Sequence, residues 1–160
     1  MPASAAEDGF TRGWVPGVIG EVTALHGRVY SAEWRFDVQF EVYVAAGMAE
    51  FMARYDPARD VILSAWDGGR LTGTITIDGS NPTHEQGVSK LRWFVVAAAE
   101  RGTGLGPRLL ETALAFADTV GAETVFLETF AGLDPARRLY ERAGFSPVSE
   151  EVAASWGQSV

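Results

Sequence analysis

The hydrophobic pattern changes period at Asp56-Pro57, and that change confines the chain to folds that combine helices with a sheet. Before it, Val18, Val22, Leu25 and Val29 recur at steps of four, three and four, which draws one apolar stripe along a helix. Phe40, Val44, Met48, Phe51 and Tyr55 share a face of a second helix, from about 38 to 55. It ends there because proline disfavours helical backbone in the residue before it. After the change, Val61 to Trp66 reads as a buried strand, and Asp67-Gly68-Gly69 as a hairpin turn, since glycine accepts positive φ. Leu71, Gly73, Ile75 and Ile77 then alternate with Thr72, Thr74, Thr76 and Asp78, which predicts a strand with a polar outer face. A polar loop covers 79–87. Ser89 to Val96 is a further strand, with Leu91, Trp93 and Val95 opposite Arg92, Phe94 and Val96.

The second half alternates element types. A helix starts near Gly106-Pro107, with Leu109, Ala113, Phe116 and Val120 inward and Gly121 placed as its C-cap. A strand is expected over 123–130. Asp134-Pro135 supplies a capping carboxylate and a first-turn proline for a last helix, whose inner face is Ala136, Leu139, Tyr140 and Ala143 and which Gly144 closes. Residues 145–151 read as a final strand, and the tail through Trp156 has no assignment. Short turns pair the early strands antiparallel, whereas the late strand-helix-strand unit requires a parallel crossover. The expected fold is α/β, a mixed, mostly antiparallel twisted sheet flanked by helices. At 160 residues this is a single domain over 11–160, behind a flexible N-terminus at 1–10.

Composition narrows the function classes. The formal net charge is −8, so the overall field opposes binding to nucleic acid or to an anionic membrane. The absence of cysteine removes disulfides, thiolate metal sites and catalysis through a cysteine acyl intermediate. His26 and His84 are the two histidines; they are far apart, the first expected on a solvated helical face and the second in a loop, and no metal site is expected. No apolar run approaches a membrane span, and the first eight residues lack the basic and apolar regions of a secretory signal, which points to the cytoplasm.

Arg101-Gly102-Thr103-Gly104-Leu105-Gly106 joins a strand to a helix. Its glycines let backbone approach a ligand closely, and the loop aims unpaired N–H groups of a helix N-terminus at one point, where the helix dipole favours anions. Arg101 and Arg108 add local positive charge. Such a loop suits a phosphate or diphosphate; the alternative is a turn that only packs helix on strand. The segment is not a Walker loop, because no Gly-Lys-Ser/Thr follows it. A dinucleotide fingerprint starting at Gly102 would have Pro107 in place of its third glycine, although Glu128 lies at a suitable distance for the ribose-binding acid.

The strand Leu91-Arg92-Trp93-Phe94-Val95-Val96 followed by Arg101-x-x-Gly104-x-Gly106 resembles the coenzyme-A-binding signature of the GNAT superfamily of N-acetyltransferases. The run Ala136-Arg137-Arg138-Leu139-Tyr140-Glu141-Arg142-Ala143-Gly144-Phe145 resembles that superfamily's second signature, a helix ending in Gly-Phe. The likeness covers about 61–151. Residues before it, including Phe40-Glu41 and Ala49-Glu50-Phe51, are similar to the acetyltransferase domain fused behind winged-helix regulators of the MarR type, whose DNA-binding portion has no counterpart here. The resemblance implies acetyl-CoA as co-substrate and a small-molecule or peptide amine as acceptor. It places the diphosphate on Gly102, Thr103, Gly104, Leu105 and Gly106, with Arg101 and Arg108 beside it. The pantetheine arm would lie along main chain at Phe94 and Val96. Arg92 and Trp93 are candidates to line the acceptor site, with a place in the core as the alternative for Trp93. An asparagine that many members carry at the position of Leu133 is missing.

The chemistry follows. An alkylammonium titrates near ~10.4 and cannot attack until a base or water path removes its proton. Attack creates an oxyanion, which a backbone N–H near Val96 can stabilise. The leaving thiolate needs a proton; the resemblance puts Tyr140 there as general acid, the alternative being a core tyrosine, and Glu128 near a strand's end is either base or amine-binding group or an exposed acid in a surface ion pair. Without cysteine, direct transfer in a ternary complex is the simpler scheme. Two alternatives stand beside it: a catalytically weak or inactive acyl-CoA-binding module, and a dinucleotide-binding protein. A homodimer through the final strand and tail is one further arrangement.

Overall fold

The computed structural model describes residues 4–5, 9–129 and 134–148. The chain folds as α/β. Two short strands, β1 (Ser4–Ala5) and β2 (Thr11–Arg12), precede helices α1 (Val18–Trp34) and α2 (Val38–Ala53). Strands β3 (Val61–Asp67), β4 (Arg70–Asp78) and β5 (Val88–Val96) follow, then helix α3 (Leu105–Thr119), strand β6 (Thr124–Phe126) and helix α4 (Asp134–Arg142). The six strands lie in chain order in one sheet. All pairings are antiparallel except β5 with β6, which is parallel and spanned by α3. A doubly wound parallel sheet, which the dinucleotide alternative requires, is therefore not what forms.

The period change seen in the sequence divides the core. Ile62, Leu71, Trp93 and Val95 meet α1 and α2 through Val18, Val22, Phe40, Val44, Met48 and Phe51. On the opposite face Leu63, Ile75, Ile77 and Leu91 pack on α3 through Leu105, Leu109 and Ala113, joined by Phe10. Glycine at 73 allows the close approach of α3, because a Cβ there would come within 3.0 Å of Leu105 and Leu109. Gly68 and Gly69, both at positive φ, form the tight β3–β4 turn.

Several expectations need correction. The Thr/Asp face of β4 is not a solvated outer face but is buried. Thr72 and Thr74 satisfy their hydroxyls on the carbonyls of Ala65 and Leu63, and Asp78 is clamped by arginines. His26 is buried, not solvated: it turns into the aromatic cluster of Tyr30 and Phe40, where Nδ1 donates to the Val22 carbonyl. Burial, against the opposing effect of that carbonyl, lowers its pKa to about 4, so the ring is neutral at pH 7. The strand expected over 123–130 ends at Phe126, because its partner β5 turns away. Residues 145–148 form no strand: the Phe145 amide instead donates to the Tyr140 carbonyl and, with Gly144 at φ 102, ends α4. Leu133, the capping carboxylate of Asp134, and Trp156 lie outside the described residues.

Candidate active site

The site is built around an interruption in β5. Thr74 pairs with Val95 and Thr76 with Arg92, so β5 carries one residue more than β4 between these pairs. The extra residue accompanies a bulge at Trp93, whose φ is 49. Positive φ at a bulky residue inside a strand costs on the order of 1–3 kcal/mol and needs firm surroundings. Its effect corrects the alternation read from the sequence. Leu91 shares the α3 face with Phe94 and Val96, while Arg92, Trp93 and Val95 all turn towards α1 and α2.

Beyond the bulge, β5 faces a gap. Its parallel ladder with β6 covers three pairs, ending at Lys90 with Phe126. The Ala97 amide donates to Thr72 on β4, so by strand alternation Phe94 and Val96 direct their main-chain groups the other way, into the gap. No described strand pairs with them there.

The glycine loop closes one end of this gap. Gly102 and Gly104 have φ 82 and 86, conformations that select glycine, and Gly104 is the N-cap of α3. Arg101, Thr103 and Arg108 donate to the carbonyls of Ala98, Glu100 and Gly104. Among the described residues the amides of Gly102, Gly104, Leu105 and Gly106 donate to nothing. Gly106 faces the gap: a Cβ there would touch Phe94 and Val96 at 3.8 Å and Leu139 at 4.0 Å, ordinary contacts that do not demand glycine. The open amides suit a diphosphate, and the unpaired β5 edge suits an amide-bearing arm, so coenzyme A fits the residues present.

One phenol flanks the gap, and a second lies in the α1–α2 cluster. Tyr140, on α4, lies 6.0 Å from the Phe94 ring and 5.9 Å from Phe145. Burial, with a smaller contribution from Tyr30, pushes its pKa above the usual tyrosine value, so it holds its proton at neutral pH. Tyr30, on α1, is fixed against Phe36 and Phe40. Burial, reinforced by Glu33 and opposed by Arg101, raises its pKa to about 12.

The chain and its fold have counterparts among known proteins. The model of the acetyltransferase (GNAT) family matches residues 24–145, most of the chain. The chain belongs to the GNAT acetyltransferase family. An uncharacterised N-acetyltransferase of Schizosaccharomyces pombe is 28% identical over 117 residues, covering 72% of this chain and 69% of that protein. A Desulfovibrio desulfuricans protein assigned to the GNAT family is 25% identical with a TM-score of 0.67, covering 89% of this chain and 86% of that one. A Clostridium acetobutylicum protein assigned as an acetyltransferase and solved with acetyl-CoA has a TM-score of 0.66 at 13% identity, which shows a shared fold; the coverage is 90% and 93%.

Within this GNAT domain the structure brings Phe94, Val96, the loop 102–106 and Tyr140 together around one gap. Other residues expected at the site are engaged elsewhere. Arg101 places two guanidinium nitrogens on the Glu33 carboxylate at 2.6 and 2.5 Å, tying the loop to α1. Arg108 lies over the Phe10 ring, 5.0 Å from its centre. Glu128 follows β6 as an exposed carboxylate, 3.4 Å from Lys90. Trp93 is buried against Phe51, and Arg92 hydrogen-bonds Asp78. Sequence reasoning missed Tyr30, Glu33 and Asp78. Tyr30 sits one position off the α1 stripe, and only the fold brings its helix end to the loop. No helix among the described residues is long and apolar enough to cross a membrane.

Proposed function

We propose that the chain transfers the acetyl group of acetyl-CoA to a primary amine, by direct attack in a ternary complex. The observation that carries this reading is the coincidence of two unsatisfied surfaces: the main-chain edge of Phe94 and Val96, and the open amides of Gly102, Gly104, Leu105 and Gly106, at one gap in the sheet. The Clostridium acetobutylicum relative of the same fold, solved with acetyl-CoA, supports the choice of acyl donor.

The loop amides and the α3 dipole would hold the diphosphate, and the β5 edge would bind the pantetheine amides as a missing strand would. The acceptor amine first gives up its proton, to water or to Glu128. Its nitrogen then bonds to the acetyl carbon, and a main-chain N–H at Val96 stabilises the oxyanion. As the carbon–sulfur bond breaks, Tyr140 gives its proton to the sulfur, while the nitrogen releases its surplus proton to water and the phenolate takes a proton back from solvent. Burial keeps that phenol protonated at neutral pH, the state a proton donor must start from.

The test pairs calorimetry with a turnover assay. Acetyl-CoA is expected to bind the folded chain, and a panel of small amines and lysine peptides to yield free thiol and acetylated amine in equal amounts. Tight binding with no acetylated product across the panel would identify a binding module instead. Binding of a nicotinamide dinucleotide in preference to coenzyme A would overturn the reading of the loop.

A further inference from the structure

We infer that Asp78, through Arg92 and Arg54, is a positioning residue for the proposed transfer: its buried carboxylate anchors the Trp93 bulge that turns Phe94 and Val96 into the gap. The inference rests on the transfer reading and adds the residues that hold its geometry.

The bulge determines which main-chain groups meet the gap. A regular β5 that kept Leu91 on the α3 face would, by strict alternation, turn Phe94 and Val96 towards β4 instead. Something must therefore hold Trp93 at its positive φ, and the contacts around it form a continuous set. The Arg92 guanidinium lies 3.9 Å over the centre of the Trp93 ring. The Phe51 ring meets Trp93 edge-on at 5.6 Å. At Gly47 on α2, a Cβ would come within 2.9 Å of the Trp93 ring and 3.0 Å of an Arg92 nitrogen, so a glycine stands where both side chains need room.

Arg92 is in turn fixed from below. Its Nη1 donates to Asp78 at 3.0 Å, and Asp78 also receives both terminal nitrogens of Arg54 at 2.7 Å each. Arg54, near the end of α2, is held by Glu50 and by the Ser80 hydroxyl. Asp78 has no exposed side-chain surface. Burial favours its neutral form, but the hydrogen bonds and charges of Arg54 and Arg92 outweigh that and keep its pKa below the usual carboxylate range. A buried carboxylate between two guanidiniums fixes direction, since removing it takes the carboxylate from Arg92 and leaves Arg54 to Glu50. The chain of contacts thus runs from α2 through Asp78 to the bulge, without reaching the proposed acyl site itself.

The test compares Asp78→Asn, Arg92→Gln, Arg92→Lys and Gly47→Ala in the full chain. The readouts are calorimetry with coenzyme A, steady-state transfer to the fastest amine of the panel, and amide resonances during coenzyme A titration. Asp78→Asn, Arg92→Gln and Gly47→Ala are expected to lower kcat at least about tenfold, with the coenzyme A dissociation constant raised no more than about threefold. Arg92→Lys, which keeps a cation facing Asp78, should recover part of the loss. In Arg92→Gln, coenzyme A should still shift the amides of 102–106 but no longer those of Phe94 and Val96. Folded variants that melt earlier yet keep kcat and both sets of shifts would overturn the inference. If Asp78→Asn does not fold, Arg92→Gln and Gly47→Ala decide the matter, since both retain the carboxylate. A wild type that acetylates no amine refutes the proposed function instead, and the resonance comparison then still decides the role of the bulge.

Discussion

Gly106→Ala separates a glycine kept for folding from one kept for a ligand. The added methyl would stand 3.8 Å from Phe94, 3.8 Å from Val96 and 4.0 Å from Leu139, so the folded chain accommodates it without movement. Gly106 is the second residue of α3, and alanine there improves helix propensity by up to about 0.8–1.0 kcal/mol. For a chain of this size, a gain of about 1 kcal/mol raises the melting temperature by roughly 2–4 °C. The same methyl projects into the gap where the proposed carrier passes the loop amides. Crowding at that point is expected to weaken coenzyme A binding by at least about tenfold, or about 1.4 kcal/mol. Thermal unfolding and calorimetry on the same preparation read both quantities. Unchanged or raised stability with weakened binding supports the site. Unchanged affinity in a stably folded Gly106→Ala protein would refute the placement of the carrier.

Three further outcomes follow from the geometry. Tyr140→Phe keeps the ring contacts with Phe94 and Phe145 but loses the donor; kcat is expected to fall about a hundredfold with little change in KM, and an unaltered rate across several pH values removes the acid assignment. His26 has a folded pKa of about 4 against 6.5 in the unfolded chain, so its neutral burial leaves stability intact above pH 6.5 and lowers it as pH falls towards 4. Acid denaturation should show His26 contributing roughly 3 kcal/mol of loss across that window, a slope that His26→Gln flattens; equal slopes in the two proteins contradict the burial argument. Gly79→Ala would drive a Cβ into the Arg59 carbonyl, so chemical denaturation should show a loss of about 1–3 kcal/mol, whereas a loss under about 0.5 kcal/mol would mean that the loop yields.

Hydrophobic period was enough to read both helical layers, the β3–β4 hairpin and the α3 crossover, because each of these buries one face of a local repeat. The glycine loop was legible for the same reason: Gly102 and Gly104 adopt backbone conformations that their residue type advertises. What escaped was the behaviour of side chains brought together by tertiary packing. Alternation placed Trp93 beside Leu91, and nothing in residues 91–96 announces that the strand inserts a residue. The Thr/Asp face of β4 looked solvent-facing because the partners of Thr72, Thr74 and Asp78, the carbonyls of Ala65 and Leu63 and the Arg54 guanidinium, come from other elements. Arg101 read as a phosphate ligand because its partner Glu33 lies 68 positions away. The full strand over 123–130 failed because its continuation depended on β5, which leaves the ladder after Lys90.

The most direct test of the central claim is an amide-resolved resonance titration of the chain with coenzyme A. The largest shifts are expected at Gly102, Thr103, Gly104, Leu105 and Gly106, with a second group at Phe94 and Val96 and little change along β1 to β3. Binding that leaves both groups unmoved and perturbs residues elsewhere would contradict the claim.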